Sequence, residues 1–154
     1  MKPETRNRII RFIFIIYSAV MLWLLFGRTR TPANVDYLEM LRTNINLRPF
    51  ATIGRYVRAL MNGRYIQTSV INLFGNIILF VPLGCFLPAV FRRVRNFGLF
   101  LFFQTEIIVF IEIVQLFTLL GVCDIDDLIL NTLGGVIGYA IFRLRFRKRN
   151  NLGK

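Results

Sequence analysis

The sequence predicts an all-α membrane protein: four transmembrane helices in one bundle, with N- and C-termini inside. Three observations predict it. The chain has 154 residues and is 55% hydrophobic, yet its charges gather in clusters between long apolar runs. A soluble domain interleaves polar and apolar residues every few positions instead. Four segments reach or nearly reach the ~20 apolar residues that a spanning helix needs. Lysine and arginine fall unevenly on the two sides of those segments, which sets orientation. The length fits a single domain over 1–154.

The first span is expected over about 9–27. Lys2, Arg6 and Arg8 precede it, as they would a cleaved signal peptide. Its far end, Trp23-Leu24-Leu25-Phe26-Gly27, is bulky rather than a small-residue cleavage site, so an uncleaved helix is expected. A long outer loop, 28–68, follows, punctuated by Pro32, Asn34, Asn44 and Pro49. Within it Ile53, Tyr56, Val57, Leu60 and Met61 recur at helical spacing between Arg55, Arg58 and Arg64. That pattern fits a short amphipathic helix at the interface or over the bundle; a solvated basic loop is the alternative.

The second span covers about 69–91, with Pro82 and Pro88 expected to kink its inner end. The third covers about 97–120. The fourth, about 125–142, is the shortest and carries Asp126 and Asp127 at its start. Gly134 and Gly138 form a small-xxx-small spacing that lets helix backbones approach; Gly75 is a candidate for the same role. A basic cytoplasmic tail, 143–154, ends the chain. With the N-terminus inside, thirteen Lys and Arg lie inside and seven outside. The short loops agree: 92–96 holds three arginines and 118–127 none.

Composition also narrows function. The net charge is +12, but the basic residues flank hydrophobic runs. That favours topology and anionic headgroups over nucleic acid. There is no histidine, which removes the usual zinc sites and Ser-His-Asp or Cys-His catalysis. No cofactor is indicated. Cys85 and Cys123 fall toward opposite membrane faces, so no disulfide within one chain is expected.

Polar groups inside spans are costly and usually line an interior or a wet cavity. From helix rise, Asn72 and Asn76 lie about 5 and 10 Å into the second span, Glu112 roughly 12 Å into the third, and Asn131 about 9 Å into the fourth. Gln115 is nearer the surface. Asn72 and Asn76 share a face, as do Glu112 and Gln115, with Gln104 close to it, and Asp127 and Asn131. Glu106 points to the opposite side of its helix. The candidate ligand-binding residues are therefore Asn72, Asn76, Glu112, Gln115, Asp124, Asp126, Asp127 and Asn131. The asparagines and Gln115 fit ordinary interhelical hydrogen bonds equally well. Glu112 must be protonated, paired with a cation or wet; an arginine from 28–68 is one candidate partner. Asp124, Asp126 and Asp127 offer oxygen ligands for Mg²⁺ or Ca²⁺. The plainer reading is that they favour a helix dipole and cap the helix start.

Four pieces in order resemble the VanZ-like family of membrane proteins. They are Asn46-Leu47-Arg48-Pro49-Phe50, then Asn72-Leu73-Phe74-Gly75-Asn76 through Pro82-Leu83-Gly84, then Ile111-Glu112-Ile113-Val114-Gln115-Leu116-Phe117, and last Asp124-Ile125-Asp126-Asp127 through Asn131-Thr132-Leu133-Gly134-Gly135. Many members carry an arginine shortly before the aspartate cluster; here 119–123 has no basic residue. The resemblance implies a bacterial cell-envelope protein connected with resistance to teicoplanin, a glycopeptide bearing a lipid tail. It implies no reaction.

Three functions stay open at this level. The first is a non-enzymatic protein binding a membrane lipid, a lipid-linked cell-wall precursor or a lipoglycopeptide at the outer leaflet. The second is a membrane-embedded enzyme on a lipid-linked substrate, with Glu112 and Asp127 as candidate catalytic groups. The third is a small transporter subunit, which needs a homo-oligomer, with Glu106 facing a second copy.

Overall fold

A computed structural model describes residues 3–27 and 36–151, with side chains for 4–27 and 36–145. Lys2, Arg28, Arg30, Pro32, Asn34 and the tail beyond 151 lie outside the described residues. Helix α1 spans Pro3–Phe26, α2 Tyr37–Thr43, α3 Ala51–Met61, α4 Ile66–Val90, α5 Phe97–Phe117 and α6 Ile125–Asn151. A 3₁₀ turn, Arg92–Arg95, links α4 to α5. Two-residue strands, β1 (Ile45–Asn46) and β2 (Cys123–Asp124), pair in parallel, Ile45 with Cys123 and Asn46 with Asp124. Helices α1, α4, α5 and α6 each contain a stretch long and apolar enough to cross a membrane.

The expected span limits shift for local reasons. Apolarity alone extends the third span to Leu120, but the helix stops at Phe117. Leu119 turns left-handed (φ 55°), its N–H donates to the Leu116 carbonyl, and the Leu120 N–H reaches back to Gln115. This is a Schellman ending with leucine in the place glycine usually takes. The first part of the basic tail, 143–151, continues α6. Helix α4 runs unbroken through Pro82 and Pro88.

Tightest packing joins α4 to α6, which run parallel. The glycines are the reason. A Cβ on Gly134 would strike the Ile77 carbonyl, and one on Gly138 the Val81 carbonyl. The Cys85 thiol meets the Gly138 carbonyl, 3.2 Å away. Gly75 is different: a Cβ there meets only the Ile71 side chain, at ordinary contact distance. Gly138→Ala is therefore expected to lower stability by about 1–3 kcal/mol through overpacking. Gly75→Ala should leave it unchanged or slightly raised. Thermal unfolding of both variants in detergent checks the contrast.

Around this seam sit Phe80, Leu83, Leu87, Phe100, Ile108, Ile111 and Tyr139, all buried. Helix α1 packs antiparallel to α4: Phe14 and Tyr17 touch Phe86, and the Tyr17 hydroxyl donates to the Leu79 carbonyl at 2.6 Å. The outer faces stay apolar and exposed, as at Phe12, Ile15, Trp23 and Phe110, as suits helices in contact with lipid. The bundle thus has two ends. One carries Arg92, Arg93 and Arg95; the other gathers the carboxylates.

Candidate functional site

The carboxylate end is built by two segments far apart in sequence. After α2, the chain enters β1 and lies beside β2, with the Cys123 N–H donating to the Asn44 carbonyl at 2.8 Å. Asn46 folds its own turn, its Oδ1 accepting from the Arg48 N–H at 3.3 Å. Pro49 then leads into Phe50, a non-glycine residue held left-handed at φ 62°.

Phe50 occupies the N-cap position of α3 and has no side chain able to cap it. Asp126 does this from 76 residues away. Its Oδ1 accepts from the Phe50 N–H (2.6 Å), and its Oδ2 from Thr52 (2.8 Å) and Ile53 (2.9 Å). A carboxylate at a helix start meets both unpaired N–H groups and the positive dipole end. Asp126 is fully buried by the arrangement.

Asp124 serves the other helix. Its Oδ1 accepts from the Asp126 N–H at 2.9 Å, capping α6. Its Oδ2 accepts from Thr52 Oγ1 (2.6 Å) and Asn46 Nδ2 (3.1 Å). Among the described residues no group of three His, Cys, Asp or Glu is arranged to hold a metal ion. The oxygens of Asp124 and Asp126 instead face N–H and O–H donors, so the capping reading fits these two.

Among the described residues, Glu112 and Asp127 are engaged at one oxygen each. Glu112 is 6% exposed, and its Oε2 accepts from the Asp124 N–H at 3.3 Å. Asp127 Oδ1 accepts from Asn76 Nδ2 at 2.6 Å. No ion pair with an arginine reaches Glu112 among the described residues; Arg28 and Arg30 lie outside them. Glu112 instead forms part of the wall of a cleft of about 170 Å³, with Leu47, Val109, Ile113, Cys123, Asp124, Ile125 and Leu128. The cleft is apolar apart from its carboxylates and the Cys123 thiol. Burial, then the nearby charges of Glu112 and Asp124, push that thiol above its ordinary pKa.

The structure brings together Asn76, Glu112, Asp124, Asp126 and Asp127, and it separates the rest. Asn72 turns back on its own helix to the Thr68 carbonyl, 2.8 Å away. Gln115 donates to the Leu25 carbonyl of α1 at 3.2 Å. Asn131 is buried, with its Oδ1 unpartnered among the described residues. Gln104 is fully buried and donates to the Thr132 carbonyl at 3.0 Å, joining α5 to α6. Glu106 is exposed on the far side of α5. Sequence reasoning missed Asn46, Thr52 and Cys123 as members of this end. The signal for Asn46 was the Asn-Leu-Arg-Pro-Phe run; nothing local marks Thr52.

The model of the family described as VanZ/LLP1 matches residues 14–146. The chain is 24% identical over 140 residues to Protein VanZ of Enterococcus faecium, covering 91% of this chain and 77% of that protein. No solved structure matches.

Proposed function

This chain belongs to the VanZ/LLP1 family and is a multi-pass membrane protein; on that premise we propose that its carboxylate end faces outside and binds an amphipathic, lipid-anchored ligand. The observation that carries this reading is Glu112. It is a membrane-depth carboxylate with one oxygen held by a backbone N–H, at the wall of a small apolar cleft. An acid in that position accepts hydrogen bonds from an amine or a hydroxyl group, and the apolar walls suit part of a hydrocarbon tail. Arg48, Arg55, Arg58 and Arg64 stand exposed on the segment packed over the same end. They supply cations for a phosphate or carboxylate of the same ligand. The asymmetry of lysine and arginine along the chain supports placing this end outside.

Lipid-linked wall precursors and lipid-tailed glycopeptides share this chemistry of tail, anion, and amine or hydroxyl. The proposed role is non-enzymatic: the protein binds such a ligand at the outer leaflet and by doing so protects the cell against teicoplanin. Expression in a sensitive Gram-positive host is expected to raise the inhibitory concentration of teicoplanin and leave that of vancomycin, which has no tail, nearly unchanged. Equal protection against both drugs, or none, would count against a tail-dependent ligand.

A further inference from the structure

The arginine end carries a second concavity, unrelated to the carboxylate cluster. A groove of about 510 Å³ lies between the end of α4, the 3₁₀ turn and the flank of α5. Leu87, Val90 and Phe91 line it from the α4 side and Phe103 and Ile107 from α5, and the exposed Arg92 and Arg93 of the turn belong to the same lining. The volume falls within the roughly 300–1,000 Å³ of small-molecule sites. From the start of α5, Phe103 lies about 9 Å along the helix and Ile107 about 15 Å. The groove therefore runs from the charged end toward the hydrocarbon.

The three arginines of the turn differ in what they do. Arg95 Nε donates to the Pro88 carbonyl at 3.2 Å, and its guanidinium lies over the Phe142 ring. Arg92 and Arg93 are exposed, and neither forms an ion pair among the described residues. Two guanidinium groups above an apolar trough match a phosphate above an acyl chain. Guanidinium groups bind phosphate through paired hydrogen bonds. The trough alone selects nothing, because lipid tails are as apolar as the walls. Selection must come from the headgroup. A zwitterionic lipid carries its own ammonium beside the phosphate, and an anionic one does not.

We propose that this groove is a binding site for one anionic phospholipid, its phosphate on Arg92 and Arg93 and one acyl chain along Phe103 and Ile107. The site is independent of the outer-end reading above.

Tryptophan quenching tests it, since Trp23 is the single tryptophan. In a Trp23→Phe background, Phe103→Trp places a reporter in the groove. Phe110→Trp, on an exposed position of the same helix, reports general lipid contact. Each full-length protein is reconstituted in phosphatidylcholine with phosphatidylglycerol or phosphatidylcholine brominated on one acyl chain. Brominated phosphatidylglycerol is expected to be about fivefold more effective at the groove reporter. The preference should vanish in Arg92→Gln/Arg93→Gln and be absent at the Phe110→Trp reporter. Equal quenching by both lipids, the same preference at both reporters, or a preference that survives the arginine changes would overturn the proposal. Should Phe103→Trp not fold, native mass spectrometry of the unlabelled protein gives the same decision. One retained phosphatidylglycerol, lost in the double variant, supports the site; equal retention overturns it.

Discussion

Asp126→Ala is expected to destabilise the protein by about 3–5 kcal/mol, enough to loosen the whole cap over the bundle. The carboxylate is fully buried and accepts three backbone N–H bonds from Phe50, Thr52 and Ile53. Its removal leaves those donors unpaired at a helix start that has no local cap. An unsatisfied buried donor costs about 1–3 kcal/mol, and water reaching the opened end returns part of that. Asp126→Asn retains one acceptor oxygen but turns an NH₂ toward an N–H, so it should fall between wild type and alanine. Asp124→Ala removes one helix cap and two side-chain bonds and is expected to cost less, about 1–2 kcal/mol. Thermal unfolding in detergent gives the order. Limited proteolysis should show earlier cleavage within 44–62 in the Asp126 variants. A fully stable Asp126→Ala protein with that segment still protected would remove the cross-chain cap from the description.

Glu112→Gln should behave in the opposite way, folding normally and losing function. Glutamine has the size of glutamate, and its carbonyl oxygen can still accept from the Asp124 N–H. What disappears is the second carboxyl oxygen as an acceptor, since glutamine sets an NH₂ there. A ligand donor left unpaired in the cleft costs about 1–3 kcal/mol, so binding should weaken by about ten- to a hundredfold. Protection against teicoplanin should fall accordingly at equal membrane abundance. Glu112→Gln that protects as well as wild type would return this carboxylate to a packing role. The pair of variants separates structure from ligand: Asp126→Ala lowers abundance and protection together, whereas Glu112→Gln lowers protection alone.

Much of the architecture was legible in the sequence because membrane spans depend on length and apolarity, which are local properties. The α4–α6 seam was legible for Gly134 and Gly138, since small residues four apart leave a groove on one helix face. Spacing could not show that Gly75 lies off that seam, where a Cβ would meet only the Ile71 side chain of its own helix. Glu112 stood out because a buried carboxylate always needs an explanation. Depth along a helix, however, fixes one coordinate only. Helix rise grouped Asn72 and Gln115 with the cluster, yet their amides found Thr68 and Leu25 carbonyls instead. The cap of Asp126 on α3 and the β1–β2 pairing join residues more than seventy positions apart, and no local pattern encodes them. The left-handed turn at Leu119 carries no glycine to announce it, so apolarity overran the end of α5.

Cys123 offers the most direct measurement, because it lines the same cleft as Glu112 and lies just before α6. In a Cys85→Ser background it is the single thiol. Its raised pKa predicts slow labelling at neutral pH, accelerating as pH rises past the ordinary thiol range. Glu112→Gln, by removing a neighbouring charge, should speed the reaction. Intact cells would be treated with a membrane-impermeant maleimide, alone and after teicoplanin or vancomycin. An outward-facing ligand cleft predicts labelling without permeabilisation, slowed by teicoplanin and not by vancomycin. Labelling that requires permeabilised cells, or that proceeds at one rate whatever drug is present, would contradict it.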